Sequence, residues 1–333
     1  MDTLPIEILT DVLVIVLQDA ATKPTNILCT SSQFQSIAQR ILHKDLCFYS
    51  SSQLSQFASL LSKGTLSLVC EPQTLMLDIA GGASYGIFEG LYAVLTEILS
   101  NARCKKDENG RLVLDTLRLR LNSLTHDDHR LINASLSNAN ARKFIWTGPD
   151  PPHHFSTAIV SPAVFPLFTA LSTYSRLTHL HLTNIAFPNP IISPDAHWTG
   201  IPCLPSLRSF HLGQATFLTA EDIADFVLRC TGQLQNSSCN LQSSNVVFEH
   251  IRLVDVYEES IWGPRLKLRR ILSAYTTMLE ESQYSNEMLS STISDSIGNL
   301  ISVDAKTERI MGGDRVIPEA EVLAILATTH TIV

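Results

Sequence analysis

The sequence predicts an α/β chain: a short all-helical N-terminal segment, then an irregular solenoid whose strand–helix units stack along one parallel sheet. Three observations predict it. Apolar residues between Ile8 and Leu42 recur at helical spacings of three and four. Farther on, Leu117-Arg118-Leu119-Arg120-Leu121 alternates strictly between apolar and polar residues, and Leu177-Thr178-His179-Leu180-His181-Leu182 does so from His179 onward, the pattern of strands with one buried face. Between these segments lie stretches of helical periodicity or clusters of proline and glycine, so each strand is followed by a helix or a loop.

Pro5 opens the first helix, because proline has its φ preset and lacks an N–H that the first turn would leave unbonded. Glu7 then sits at the positive end of the helix dipole. Ile8, Leu9, Val12, Leu13, Val16 and Leu17 give this helix an apolar face wider than one short helix can hide. Lys23-Pro24-Thr25-Asn26 is a break and Ile27-Leu28-Cys29 a short apolar turn. Ser32 and Gln35 fit a capping box ahead of the stripe Phe34, Ile37, Ala38, Ile41 and Leu42. A three-helix unit this small buries a low fraction of its surface, so a second surface is expected to complete it.

The run Leu4-Pro5, Glu7-Ile8-Leu9, Val12-Leu13, Ile27-Leu28, Phe34-x-x-Ile37-Ala38 and Leu42-x-x-Asp45-Leu46 resembles the F-box, the motif by which substrate receptors of cullin-type ubiquitin ligases dock on the Skp1 adaptor. The resemblance implies an F-box-like helical domain over residues 1–48, with Leu4, Pro5, Ile8, Leu9, Val12, Leu13, Ile27, Leu28, Phe34 and Ile37 as adaptor contacts. It also implies a Skp1-like adaptor, and through it a cullin, as partners. The alternative for this segment is a helical subdomain packed on its own chain, in which Ile8, Leu9, Val12 and Leu13 are enclosed by the remainder of the protein.

After Leu46, Ser50-Ser51-Ser52 caps a helix carrying Leu54, Phe57, Leu60 and Leu61; Leu75-Met76-Leu77 is a strand, Gly81-Gly82 a turn, and Phe88 to Leu99 a helix. The Leu117 strand follows, then a helix opened by Thr125, the strand Lys143-Phe144-Ile145-Trp146, and a proline-rich loop containing His153-His154. A helix around Val164 to Tyr174 precedes the Leu177 strand. Prolines between Pro188 and Pro205 exclude a long regular element. Leu207 to Leu212 and Phe248 to Leu253 repeat the strand pattern on either side of a helix capped by Thr219. The Gln233 to Asn245 tract has the composition of a disordered insertion. A helix from Arg265 to Met278 and a strand from Leu300 to Asp304 complete the series.

Strand centres at Met76, Arg120, Ile145, His181, His211, Arg252 and Ser302 lie 25 to 50 residues apart. That is too irregular for a standard leucine-rich repeat of about 20–29 residues. Residues 49–333 are therefore an irregular leucine-rich-repeat-like α/β domain, with a compact doubly wound sheet as the alternative. Leu212-Gly213-Gln214-Ala215-Thr216, the Leu253 to Arg265 run and the closing Thr307 to Arg315 run are similar to segments of fungal F-box-like proteins with a repeat domain.

Composition narrows the function classes. The 333 residues carry a formal charge of -8, which argues against nucleic acid as partner, since phosphate-backbone binding needs a basic surface. The N-terminus fits neither a signal peptide nor a membrane span, so an intracellular protein, cytoplasmic or nuclear, is expected. Seven cysteines without a C-x-x-C pair read as small buried hydrophobes in a reducing compartment. No local nucleophile, phosphate-loop or H-E-x-x-H signature occurs, so the chain is expected to be non-catalytic and to need no cofactor.

The outward strand positions Arg118, Arg120, His179, His181, His211, His250 and Arg252 form a basic, histidine-rich stripe expected to bind an acidic or phosphorylated segment of an unidentified target protein. His179, His181 and His211 are numerous enough for a zinc site, yet no carboxylate or cysteine accompanies them, so no metal is expected. The expected function is the substrate-recognition subunit of an SCF-type (Skp1-cullin-F-box) ubiquitin ligase. The alternative is a repeat-domain interaction scaffold whose degenerate F-box only caps the solenoid.

Overall fold

The computed structural model describes residues 4–18, 23–79, 86–101, 103–149, 156–189, 198–231, 248–281, 297–310 and 313–316. The Gly81-Gly82 turn, His153-His154 and the Gln233 to Asn245 tract lie outside them. Three helices come first: α1 (Ile6–Gln18), α2 (Pro24–Leu28) and α3 (Ser32–Lys44). Then strands and helices alternate as β1 (Asp45–Phe48), α4 (Ser51–Ser62), β2 (Thr74–Asp78), α5 (Ile87–Ser100), β3 (Leu112–Arg120), α6 (His129–Leu136), β4 (Ala139–Thr147) and α7 (Ser161–Leu171). The series continues through β5 (His179–Ala186), β6 (Ser209–Thr216), α8 (Ala220–Cys230), β7 (His250–Val254), α9 (Leu268–Glu281) and β8 (Ile301–Asp304), before the hairpin β9 (Thr307–Ile310) and β10 (Gly313–Val316).

Strands β1 to β8 form one parallel sheet in unbroken chain order. A doubly wound sheet reverses its strand order at a switch point, and this one does not. The helices lie beside one another in the same order, α4 on α5, α5 on α6, α6 on α7 and α8 on α9. Leu117, Leu119, Leu180, Leu182, Phe210, Leu212, Ile251 and Leu253 are all buried, as alternation requires when one face of each strand meets the helices.

Hydrogen-bond register places Cys47, Met76, Arg118, Ile145, His181, His211, Arg252 and Ser302 in one row across the sheet. The row passes through Arg118, whereas alternation alone centres that strand on Arg120. Leucines flank both arginines, so the pattern looks the same when slid by two residues.

Three successive units turn the same corner. Asn184, Gln214 and Asp255 each follow the row by three residues, and each adopts a left-handed backbone, with φ of 59°, 46° and 52°. Asparagine and aspartate tolerate this region better than most residues because their short polar side chains bond locally. The Asn184 amide donates to Gln214 Oε1 at 2.7 Å and to the Ser156 carbonyl at 2.9 Å. The Asp255 carboxylate accepts from the Lys306 amide and pairs with Arg265 at 3.3 Å. Gly148 passes so close to Asn184 that an added Cβ would lie 3.1 Å from its side-chain amide. At the opposite strand ends, Asp107 holds Arg111 at 2.7 Å and accepts from Asn140 Nδ2 at 2.7 Å, joining the starts of β3 and β4.

Local signals decide the boundaries. Ser50 caps α4 through the Gln53 amide, and Thr219 and Asp222 form a reciprocal capping box on α8. Helix α3 is capped by Ser31 through the Phe34 amide, one residue before the expected Ser32. Helix α6 opens at Asp128, which bonds the Arg130 amide, and not at Thr125. The expected division at residue 48 also moves: Asp45–Phe48 is the first strand of the sheet, so the helical segment ends at Lys44.

Candidate functional site

Two surfaces emerge. The first is α1. Leu9, Leu13 and Ile37 form a small core separate from the one over the sheet, with Ile27, Phe34 and Ile41 packed against it. Leu9 and Leu13 are 5% and 2% exposed, while Leu4, Ile8, Val12 and Ile15 are 48%, 49%, 46% and 70% exposed. The expected adaptor contacts therefore divide by helix geometry, since positions 8, 12 and 15 share one side of α1 and positions 9 and 13 the other. Leu9, Leu13 and Ile37 are corrected from surface contacts to core: their side chains already hold the three helices together. Leu4, Pro5, Ile8 and Val12 face outward, and Ile27, Leu28 and Phe34 are half-buried. Ile15 was not among the expected contacts, although its place three residues after Val12 marks it as part of the same stripe.

The second surface is the polar side of the sheet. His181 and His211 are row neighbours on β5 and β6, and their rings stack at 4.0 Å between centroids with planes 8° apart. Burial first, then Arg118 and Arg252, hold His181 below the ordinary histidine value. Burial, followed by His181, Arg252 and Lys306, pushes His211 down to about 4, with Asp304 opposing. Burial and then Lys143 and Arg142 lower His179 as well, whose ring lies 2.8 Å from Thr178 Oγ1. His250 bonds Ser302 Oγ at 3.1 Å. At neutral pH the stacked pair is thus uncharged.

The arginines are not equivalent. Arg120 pairs with Asp78 at 2.9 Å and donates to the Pro149 carbonyl at 2.8 Å; Arg252 pairs with Asp304 at 3.0 Å. Arg118 is exposed and makes no hydrogen bond or ion pair with the described residues. The expected basic, histidine-rich stripe is corrected accordingly: Asp78 and Asp304 neutralise two of its three arginines. The paired aspartates were hidden because each lies two residues beyond the row, in a strand whose own pattern shows only alternation. Lys143, in the register row of His179, is a further cation on this face that the sequence reading passed over.

Metal-ligand lone pairs lie in the plane of an imidazole ring, so two rings stacked nearly parallel cannot direct them at a common ion. Among the described residues no group of three or more histidine, cysteine, aspartate or glutamate side chains is placed to hold a metal ion. No helix among them is long and apolar enough to cross a membrane. Compared with protein-family models, with curated proteins and with solved structures, the chain matches none.

Proposed function

We propose that the chain is the substrate-recognition subunit of an SCF-type ubiquitin ligase: an F-box-like three-helix segment docks on a Skp1-like adaptor, and through it on a cullin, while a leucine-rich-repeat-like solenoid holds the target. The observation that carries this reading is the outward stripe Leu4, Ile8, Val12 and Ile15, beside a helical core that closes without it. Contiguous apolar surface rimmed by polar residues is the usual mark of a protein-binding site. The left-handed corners shared by three successive units support the repeat reading. The subunit's contribution is proximity, keeping a target lysine near an activated ubiquitin. On the sheet face, Arg118 is the anchor for a carboxylate or phosphate on the target, as the arginine without a competing aspartate.

A second reading rests on a different observation. Helix α3 ends at Lys44 and β1 begins at Asp45, with no linker between them. Such continuity suits a helical cap that shields the first strand of an interaction scaffold. Titration of the purified chain with a recombinant Skp1-type adaptor separates the two. Stoichiometric capture that is lost in the double variant Ile8→Asp, Val12→Asp, at unchanged helicity, supports the ligase reading. No capture by the wild-type chain, or equal capture by the variant, overturns it in favour of the scaffold.

A further inference from the structure

Cys203 and Cys230 are 27 residues apart in sequence, and their sulfurs are 4.0 Å apart in the fold, with the Cys230 thiol donating to Cys203. Both are partly exposed and neither is in a disulfide. Cys203 lies on the segment entering β6, and Cys230 is the last residue of α8, the helix that follows β6. Close packing brings the two together. Gly200, at φ +94°, allows the segment to pass over α8 with Arg229 only 3.3 Å from where a Cβ would stand, and Arg229 donates to the Ile201 carbonyl at 2.8 Å. A disulfide needs sulfurs about 2.05 Å apart, so closure asks for a movement of about 2 Å at two side chains.

We propose that Cys203 and Cys230 are a redox-active dithiol, with Cys203 the attacking thiolate and Cys230 the resolving thiol, oxidised by a hydroperoxide to an intramolecular disulfide. The Cys203 sulfur attacks one peroxide oxygen; an S–O bond forms, the O–O bond breaks, and the departing hydroxide takes a proton to become water. The Cys230 sulfur then attacks the Cys203 sulfenic acid; the S–S bond forms, the S–O bond breaks, and the leaving hydroxide takes the Cys230 proton as a second water. Two thiols and one hydrogen peroxide become one disulfide and two waters.

The surroundings assign the roles. Accepting from Cys230, together with Arg229 nearby, holds Cys203 below the ordinary thiol value against the cost of burial. Donating that bond and burial both raise Cys230, which also sits at the negative end of α8. The buried Arg229 Nε–H has no acceptor among the described residues, so a positive group with spare donor capacity lies in the helix's last turn. The crosslink would fasten the segment entering β6 to the end of α8, closing the unit that carries His211.

The test treats the reduced 333-residue chain with stoichiometric hydrogen peroxide and maps non-reduced peptides by mass spectrometry. The expected product joins the Cys203 and Cys230 peptides with loss of two hydrogens, leaving Cys29, Cys47, Cys70, Cys104 and Cys239 as thiols. In Cys230→Ser a sulfenic-acid trap should label Cys203, whereas in Cys203→Ser the same trap should leave Cys230 largely unlabelled. Free thiols at both positions while other cysteines oxidise, or pairing of either with a third cysteine, would overturn the proposal. Preferential trapping at Cys230 would overturn the assigned roles. Wild-type mapping decides the first point even where a serine variant folds poorly.

Discussion

Replacing His211 with phenylalanine keeps a flat ring against His181 and removes one titrating group from the sheet face. In the fold His211 is lowered from 6.5 to about 4, chiefly by burial. The unfolded chain therefore binds more protons between those values, and stability is fully present above about pH 6.5 and lost as pH falls towards about 4. The full shift would correspond to roughly 3 kcal/mol in a sealed site. The ring is only partly covered, beside Arg118, Arg252, Lys306 and Asp304, and solvent screening reduces the figure to about 1–2 kcal/mol. Urea unfolding of wild type and His211→Phe at pH 7 and pH 4.5 reads this as a difference between the two pH slopes, which cancels the shares of His179 and of His43, itself lowered by burial, and keeps the pairwise part with His181 in the difference. The variant should lose about 1–2 kcal/mol less than the wild type. Parallel slopes, or an NMR titration placing His211 at or above its ordinary value, would refute the account of the stacked pair.

Leu13→Ala should cost about 2–5 kcal/mol in urea unfolding because Leu13 fills the small helical core, while Ile8→Ala should stay within about 0.5 kcal/mol. Equal costs would mean that the two sides of α1 are not distinguished as the exposures indicate. Asp107→Ala leaves the buried Arg111 without its carboxylate and should cost about 3–5 kcal/mol by the same assay. Arg118→Glu should weaken capture of an acidic target peptide by at least tenfold, about 1.4 kcal/mol, with Arg252→Glu costing less because Asp304 already shares that charge. Fluorescence anisotropy reads both, and the reverse ranking would remove Arg118 as the anchor.

Much of this architecture was legible because its determinants are local. Strict alternation from His179 to Leu182 fixes which side chains face the helices whatever the neighbours are, and Thr219 with Asp222 caps a helix within four residues. Register was less legible. Choosing between Arg118 and Arg120 requires knowing where β2 and β4 pair, a contact tens of residues distant. The ion pairs Arg120–Asp78 and Arg252–Asp304 were hidden for the same reason, since each joins different strands. On α1 the apolar residues are numerous enough to cover both sides, so the sequence gives the helix but not its inner side; α3, through Ile37, decides that. The Cys203–Cys230 approach depends on a loop passing over a helix end, for which a single sequence carries no signal.

Row geometry also limits what the sheet face can hold. Arg118 and Arg252 occupy the same row four strands apart, about 19 Å at roughly 4.8 Å per strand. An extended peptide rises about 3.3 Å per residue, so two acidic groups reach both arginines when about six residues separate them. Closer pairs reach one arginine only, and Arg118 is the better choice because engaging Arg252 means sharing or displacing Asp304. That exchange is cheap, since half-exposed ion pairs contribute about 0–1 kcal/mol. The stacked imidazoles lie between the two ends as flat, uncharged ground at neutral pH. An anion laid across them would raise their lowered values, so binding should strengthen as pH falls from neutral towards the range where the peptide carboxylates themselves protonate. Peptides with two glutamates roughly three, six or nine residues apart discriminate geometry from charge. The middle spacing should bind tightest, and a flat series would show that the row recognises net charge alone.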